Sequence, residues 1–115
     1  MKAQPLGQAA EDLAAHYLQK QGFTIVARNY RYQRAEVDII AQKKGLLLFT
    51  EVKARSSDQF GYPEAFVTPQ QKALIHAAAE DYILAQQWEE AIRFDIIAVF
   101  NRNGQMKLTH FEDAF

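Results

Sequence analysis

The succession of apolar patterns predicts an α/β domain: a helix, an antiparallel three-stranded hairpin sheet, a second helix, and further strands on a mixed central sheet. Three observations carry the prediction. Residues 6–21 and 69–87 place apolar side chains at the three- and four-residue spacing of amphipathic helices. The runs between and after them are short and β-rich, and turn signals separate those runs.

In the first helix Leu6, Ala10, Leu13, Ala14, Tyr17 and Leu18 form the apolar stripe, and Gly22 ends it. Glu11 lies seven residues before Leu18 and almost above it, which sets a carboxylate at the border of the stripe. Phe23, Ile25 and Val26 give a short strand within Phe23 to Asn29, followed by the turn-like, strongly basic run Arg28-Asn29-Tyr30-Arg31-Tyr32-Gln33-Arg34. Glu36 to Ala41 and Leu46 to Lys53 are β-rich, and Gln42-Lys43-Lys44-Gly45 has the length and the glycine of a hairpin loop between them. The stretch Ala54 to Val67 contains Ser56, Ser57, Asp58, Gly61 and Pro63, shows no periodicity, and reads as a loop, long for a domain of this size. Thr68-Pro69-Gln70-Gln71 combines an N-cap, a first-turn proline and a Gln three residues after the cap. The helix it starts runs to about Gln87 and buries Leu74, Ile75, Ala78, Tyr82 and Ile83. Phe94 to Phe100 is apolar apart from Asp95 and reads as a strand covered on both faces; after Gly104 a weaker strand spans Met106 to His110.

With 115 residues, 49% of them hydrophobic, the sequence fits one domain, 1–115, with a core of its own. Cysteine is absent, which excludes disulfides and thiolate metal sites and leaves carboxylate or imidazole ligands. A net charge of −1 excludes a globally basic nucleic-acid coat protein, because non-specific affinity comes from excess Lys and Arg neutralising phosphates. Contact with nucleic acid then needs a local patch, a metal ion or a partner. Met1 to Ala10 holds no apolar run of the length of a signal peptide or membrane span, so the expected location is the cytoplasm, with no membrane partner.

The chemistry concentrates in the two central hairpin strands. Alternation puts Glu51 and Lys53 on one face with Val52 on the other, and likewise pairs Glu36 with Asp38. Leu46 to Phe49 is unbroken and apolar, so charges at the end of that strand are costly unless paired or bound to a metal. Asp38 beside Glu51 brings two carboxylates together, a repulsion that a hard divalent cation with oxygen ligands relieves. Such a site suits a phosphodiester, since the cation polarises a phosphate oxygen and acidifies a bound water. Lys53 is placed to orient that water or to offset charge on the phosphate, Arg55 continues the alternation toward solvent as a phosphate contact, and Glu11 can add a further carboxylate. Glu-x-Lys alone is common by chance; the combination of Asp38, a hairpin, Glu51-Val52-Lys53 and a helical Glu11 is more specific.

These residues resemble the PD-(D/E)XK nuclease superfamily, whose core is a helix, an antiparallel hairpin sheet, a second helix and a further strand. More closely, the chain is similar to the YraN-like family of uncharacterised bacterial endonuclease-like proteins. The likeness covers roughly Gly7 to Val99 and is carried by Ala35-Glu36-Val37-Asp38-Ile39-Ile40-Ala41, Phe49-Thr50-Glu51-Val52-Lys53-Ala54-Arg55 and Gln71-Lys72. It also resembles the archaeal Holliday-junction resolvases. The resemblance implies a restriction-endonuclease-like core, catalytic positions Glu11, Asp38, Glu51 and Lys53, metal positions Asp38, Glu51 and Val52, Mg²⁺ with Mn²⁺ as alternative, DNA rather than RNA, and a homodimer. Ala35 stands where the pattern usually has Gly, and Val37 replaces the namesake Pro; neither removes a ligand.

Around this centre, Arg28, Arg31 and Arg34, interleaved with Tyr30 and Tyr32, read either as a grip on a nucleic-acid strand or as a solvated hairpin tip. Gln71 and Lys72 lie where a helix N-terminus favours a phosphate, although capping also explains Gln71. Glu36 is a further site acid or a salt-bridge partner. Asp95 supports the site, or pairs with Arg93 or Lys72, or caps a backbone group. His16, His76 and His110 have no ligand spacing and read as structural or surface residues; Trp88 and Phe60 read as core and loop anchors, with Phe60 and Tyr62 as alternative groove covers. Two functions compete: a Mg²⁺-dependent endonuclease acting on branched or damaged DNA, and a silent nucleic-acid-binding or scaffold module of the same fold; the intact set Glu11, Asp38, Glu51 and Lys53 argues against a third, a purely structural partner protein.

Overall fold

The computed structural model describes residues 5–55 and 67–115. Helix α1 (Leu6–Lys20) leads into strands β1 (Thr24–Tyr32), β2 (Ala35–Lys43) and β3 (Leu46–Arg55); helix α2 (Pro69–Gln86) follows, then β4 (Ala91–Arg102) and β5 (Gln105–Phe111). The five strands form one mixed sheet in the order β1-β2-β3-β4-β5. Strands β1, β2 and β3 are mutually antiparallel, β4 runs parallel to β3, and β5 returns antiparallel to β4. A parallel neighbour needs a long crossover, and α2 supplies it.

The helices cover opposite faces. Ala10, Ala14 and Leu18 of α1 pack with Ile39, Leu48, Ile97 and Val99, whereas Ile75 and Ala78 of α2 pack with Leu47, Phe49, Ile96 and Ala98. Consecutive residues of β3 and β4 thus enter different cores, which is why their sequences are apolar without alternation. Leu18, Leu48, Phe49 and Ile96 are fully enclosed; each contributes roughly 1.5–3 kcal/mol by burial.

Local chemistry fixes the element ends. Thr68 accepts from the Gln71 N–H at 3.1 Å while the Gln71 side chain accepts from the Thr68 N–H at 2.9 Å, closing a capping box ahead of Pro69. Thr68→Ala is therefore expected to cost about 1 kcal/mol, read as a lower midpoint in chemical denaturation with an unchanged slope. Asn103 and Gly104, both with positive φ, make the two-residue turn between β4 and β5, the backbone twist that suits a tight hairpin.

Three expectations need correction. The loop between β2 and β3 is only Lys44-Gly45, because Gln42 and Lys43 continue β2 and pair with Leu47 and Leu46. The basic run from Arg28 is strand up to Tyr32, and the turn is confined to Gln33-Arg34. Tyr30 and Tyr32 pack on the α2 side, and the Tyr30 hydroxyl donates to Asp81 at 2.6 Å, so tertiary contacts hold the run extended. Strand β3 continues through Ala54 to Arg55, two residues beyond the expected end. The remainder of the expected loop, with Phe60 and Tyr62, lies outside the described residues, apart from Val67, which is fully buried on the α2 side.

Candidate metal centre

The β2–β3 ladder runs from Lys43↔Leu46 to Ile39↔Thr50, and at its open end Asp38 faces β3. The Val52 N–H donates to Asp38 Oδ2 at 2.7 Å, so a side chain takes the place of a ladder carbonyl. This brings Asp38 into hydrogen-bonding contact with Glu51, and Lys53 is close enough to act on Glu51 by charge. Val52 sends its side chain into the α1-side core; its main-chain N–H donates to Asp38, and the only Val52 group with a lone pair for a cation is its carbonyl.

The expected alternation does not carry through Asp38. Val37 packs on the α2 side and Ile39, two residues on, packs on the α1 side. The pairs Arg28↔Ile39 and Tyr30↔Val37 bracket Asn29 and Asp38, and Asn29 has φ 54°. A left-handed residue inside a strand turns the pleat over, and Asn tolerates that conformation better than most. Asp38 is thereby freed from a face and turned toward β3. Glu36 pairs with Arg31 at 3.5 Å and acts on Glu51 by charge, lining the same cavity. Asn29 went unrecognised from sequence; its only signal was an Asn amid β-prone residues.

The electrostatics follow from two acids in contact. Burial pushes Glu51 up to about 9, and the hydrogen bond and charge of Asp38 add to it, while Lys53 works in the opposite direction. Without a cation, this upward shift favours a proton on Glu51. Glu11 is also raised, first by burial and then by Asp38, against the lowering effect of Arg28 and of a hydrogen bond with Asn29. Glu11 thus stands near the pair. Arg28 holds it at 3.2 and 3.3 Å and reaches Asp12 at 2.7 Å.

Among the described residues no three His, Cys, Asp or Glu converge closely enough to hold an ion. The chemistry of the pair itself nonetheless fits a hard divalent cation: two carboxylates in contact, one of them raised by burial and by its neighbour's charge. A bound cation would displace that proton. Asp38 and Glu51 would hold it directly, with Glu11 outside direct reach in this arrangement.

The basic positions divide. Arg28 is occupied by Glu11 and Asp12 and is a charge partner of the site rather than a free phosphate contact. Arg31 is 78% exposed in its pair with Glu36. Arg34 and Gln71 line, with Glu51, a cavity of about 170 Å³ between the start of β2 and the first turns of α2. Lys72 is half-buried in that same turn, and Arg55 closes β3 with its guanidinium on the Ala54 carbonyl at 2.9 Å.

Asp95 belongs to a different centre. It is fully buried and receives Arg93 at 2.8 and 2.9 Å, the Asp113 N–H at 2.9 Å and His110 Nε2 at 2.6 Å; His110 Nδ1 is 2.9 Å from the Tyr17 hydroxyl. Of the alternatives for Asp95, pairing with Arg93 and capping of a backbone N–H hold together. The participation of His110 and Tyr17 had no sequence signal, since they come from β5 and α1.

Comparison with known proteins places a profile described as "Uncharacterised protein family UPF0102" on residues 10–99. A UPF0102 protein of Flavobacterium psychrophilum is 46% identical over 110 residues, covering 96% of this chain and 92% of the relative. One from Flavobacterium johnsoniae is 44% identical over 114 residues, covering 96% and 93%, and one from Christiangramia forsetii is 42% identical over 110 residues, covering 96% and 92%.

Proposed function

Because the chain belongs to the uncharacterised protein family UPF0102, whose description assigns no activity, we propose from its own acid pair that it is a metal-dependent endonuclease-like protein acting on DNA. In this reading it is a single nuclease-like domain of the PD-(D/E)XK kind, cytoplasmic, similar in its site to the Holliday-junction resolvases and working as a homodimer. The observation that carries the reading is the contact between Asp38 and Glu51 at the open end of the β2–β3 ladder, with Lys53 beside it.

When bound there, Mg²⁺ or Mn²⁺ supplies Lewis acidity toward a phosphate oxygen and lowers the pKa of a water. The chain's own residues do the rest. Asp38 is locked by the Val52 N–H, so the carboxylate is held before a ligand arrives, which limits reorganisation during reaction. Lys53 brings positive charge to the same spot and offsets the charge of the phosphodiester or orients the attacking water. Glu11, fixed by Arg28 and Asn29, adds negative potential behind Asp38. Arg31, Arg34, Gln71 and Lys72 flank the approach and contact the nucleic acid, as does Arg55. No helix among the described residues is long and apolar enough to cross a membrane.

The arrest of Glu11 by Arg28 favours a second reading, a binding or scaffold module that keeps the fold without turnover. A panel of single-stranded, duplex, flap and four-way-junction DNAs in Mg²⁺ and in Mn²⁺ separates the two. Cutting by the parent protein that disappears in both Asp38→Ala and Lys53→Ala is the expected result; binding without cutting in all three would select the module. Sedimentation as a monomer at micromolar concentration would remove the homodimer.

A further inference from the structure

We propose that the cavity beside Glu51 receives one unstacked nucleobase, so that the preferred substrate has an unpaired nucleotide next to the reacting phosphodiester; this rests on the nuclease reading above. The cavity exists because β2 and β3 part beyond Ile39↔Thr50 and the first turns of α2 roof the gap. Its volume of about 170 Å³ is smaller than the roughly 300–1,000 Å³ of sites that enclose a whole small ligand. It therefore takes a fragment of a longer molecule, and Glu51 in its wall puts that fragment directly beside the acid pair.

The lining identifies the fragment. Leu74, Ile75 and Ala35 supply apolar walls, and Arg34 and Gln71 supply polar groups. A second phosphate is a poor fit to apolar walls with Glu36 and Glu51 alongside. A base fits: its faces are apolar, its edges hydrogen-bond, and a guanidinium stacks on it. Gln71 spends its carbonyl on the Thr68 N–H and keeps its amide NH₂ for a base acceptor. A base within a duplex is stacked on both sides, and extracting it costs energy that an already unpaired base does not require.

The test uses DNA duplexes with one unpaired 2-aminopurine and fully paired counterparts, with the full-length protein in Mg²⁺, reading fluorescence for binding and strand scission in the same samples. The expected result is about tenfold tighter binding of the unpaired DNA, accompanied by a fluorescence change. Ala35→Leu, which fills the cavity, removes that preference and leaves binding of the paired DNA in place. Arg34 is exposed, so Arg34→Ala tests the same point without endangering the fold and lowers the preference about fivefold. Equal binding of both DNAs by the parent protein, or a full preference retained in Arg34→Ala and in folded Ala35→Leu, overturns the inference. A preference that the variants remove, without scission, supports the cavity and defeats the nuclease reading; scission without preference does the reverse.

Discussion

Asp38→Asn is expected to lower Mg²⁺-dependent cleavage by a factor of about 10²–10⁴ while the protein still folds. The amide carbonyl of Asn can still accept from the Val52 N–H, so the contact that holds β3 at this point survives. The charge does not survive, and with it goes half of the anionic site for the cation. Glu51 is raised partly by the hydrogen bond and charge of Asp38; next to an uncharged amide the charge contribution is lost, and Glu51 moves back toward the ordinary carboxylate range. Single-turnover cleavage and thermal melting on the same preparation check both halves. Loss of cleavage together with a large loss of stability would assign Asp38 to the fold rather than to the chemistry.

The largest effect on stability is expected at Asp95. Asp95→Ala leaves Arg93, His110 and the Asp113 N–H without their shared acceptor. Breaking a buried ion pair by removing one partner costs about 3–5 kcal/mol, which in a chain of this size lowers the melting temperature by on the order of 15 °C. Burial alone would raise the pKa of Asp95, but the hydrogen bonds from His110, Arg93 and Asp113 and the charge of Arg93 outweigh it and hold the carboxyl below its usual 3.8. The folded state therefore binds this proton less readily than the unfolded chain. Its stabilising contribution is fully present above about pH 3.8 and is lost as the pH falls through the lower folded value. Melting curves between pH 2 and 7 should show an acid limb that is flatter in Asp95→Asn; an identical limb would remove Asp95 from the account.

The contrast between these two acids shows what was legible in the sequence. Helix α1 was readable from Leu6 to Leu18 because its stripe is set by local spacing, and α2 because Thr68, Pro69 and Gln71 form a cap within four residues. The pairing of Asp38 with Glu51 followed from one hairpin. The phase change at Asp38 did not, because it depends on the backbone of Asn29 in the adjacent strand and no pattern within β2 encodes it. The same is true of Arg28, whose density of charged neighbours suggested a turn at solvent, and whose partners Glu11 and Asp12 lie on α1. Asp95 stood out as a lone acid in an apolar strand, yet its partners His110 and Tyr17 are brought to it by β5 and α1. Local periodicity fixes elements; partner choice is tertiary, and in this chain the candidate site and the buried network are both tertiary.

Cation binding can be measured without knowing the substrate, and it tests the central claim most directly. Mn²⁺ titrated into the protein and followed by electron paramagnetic resonance should show one tight site that is absent in Asp38→Asn and in Glu51→Gln. Glu51→Gln is the more informative of the two, since burial and Asp38 push the Glu51 pKa up and favour its neutral form, so the substitution should leave the melting temperature nearly unchanged. One ion bound by the parent and none by the folded variants is the predicted result. No bound ion at millimolar Mn²⁺, or the same ion in all three proteins, would contradict a metal centre at Asp38 and Glu51.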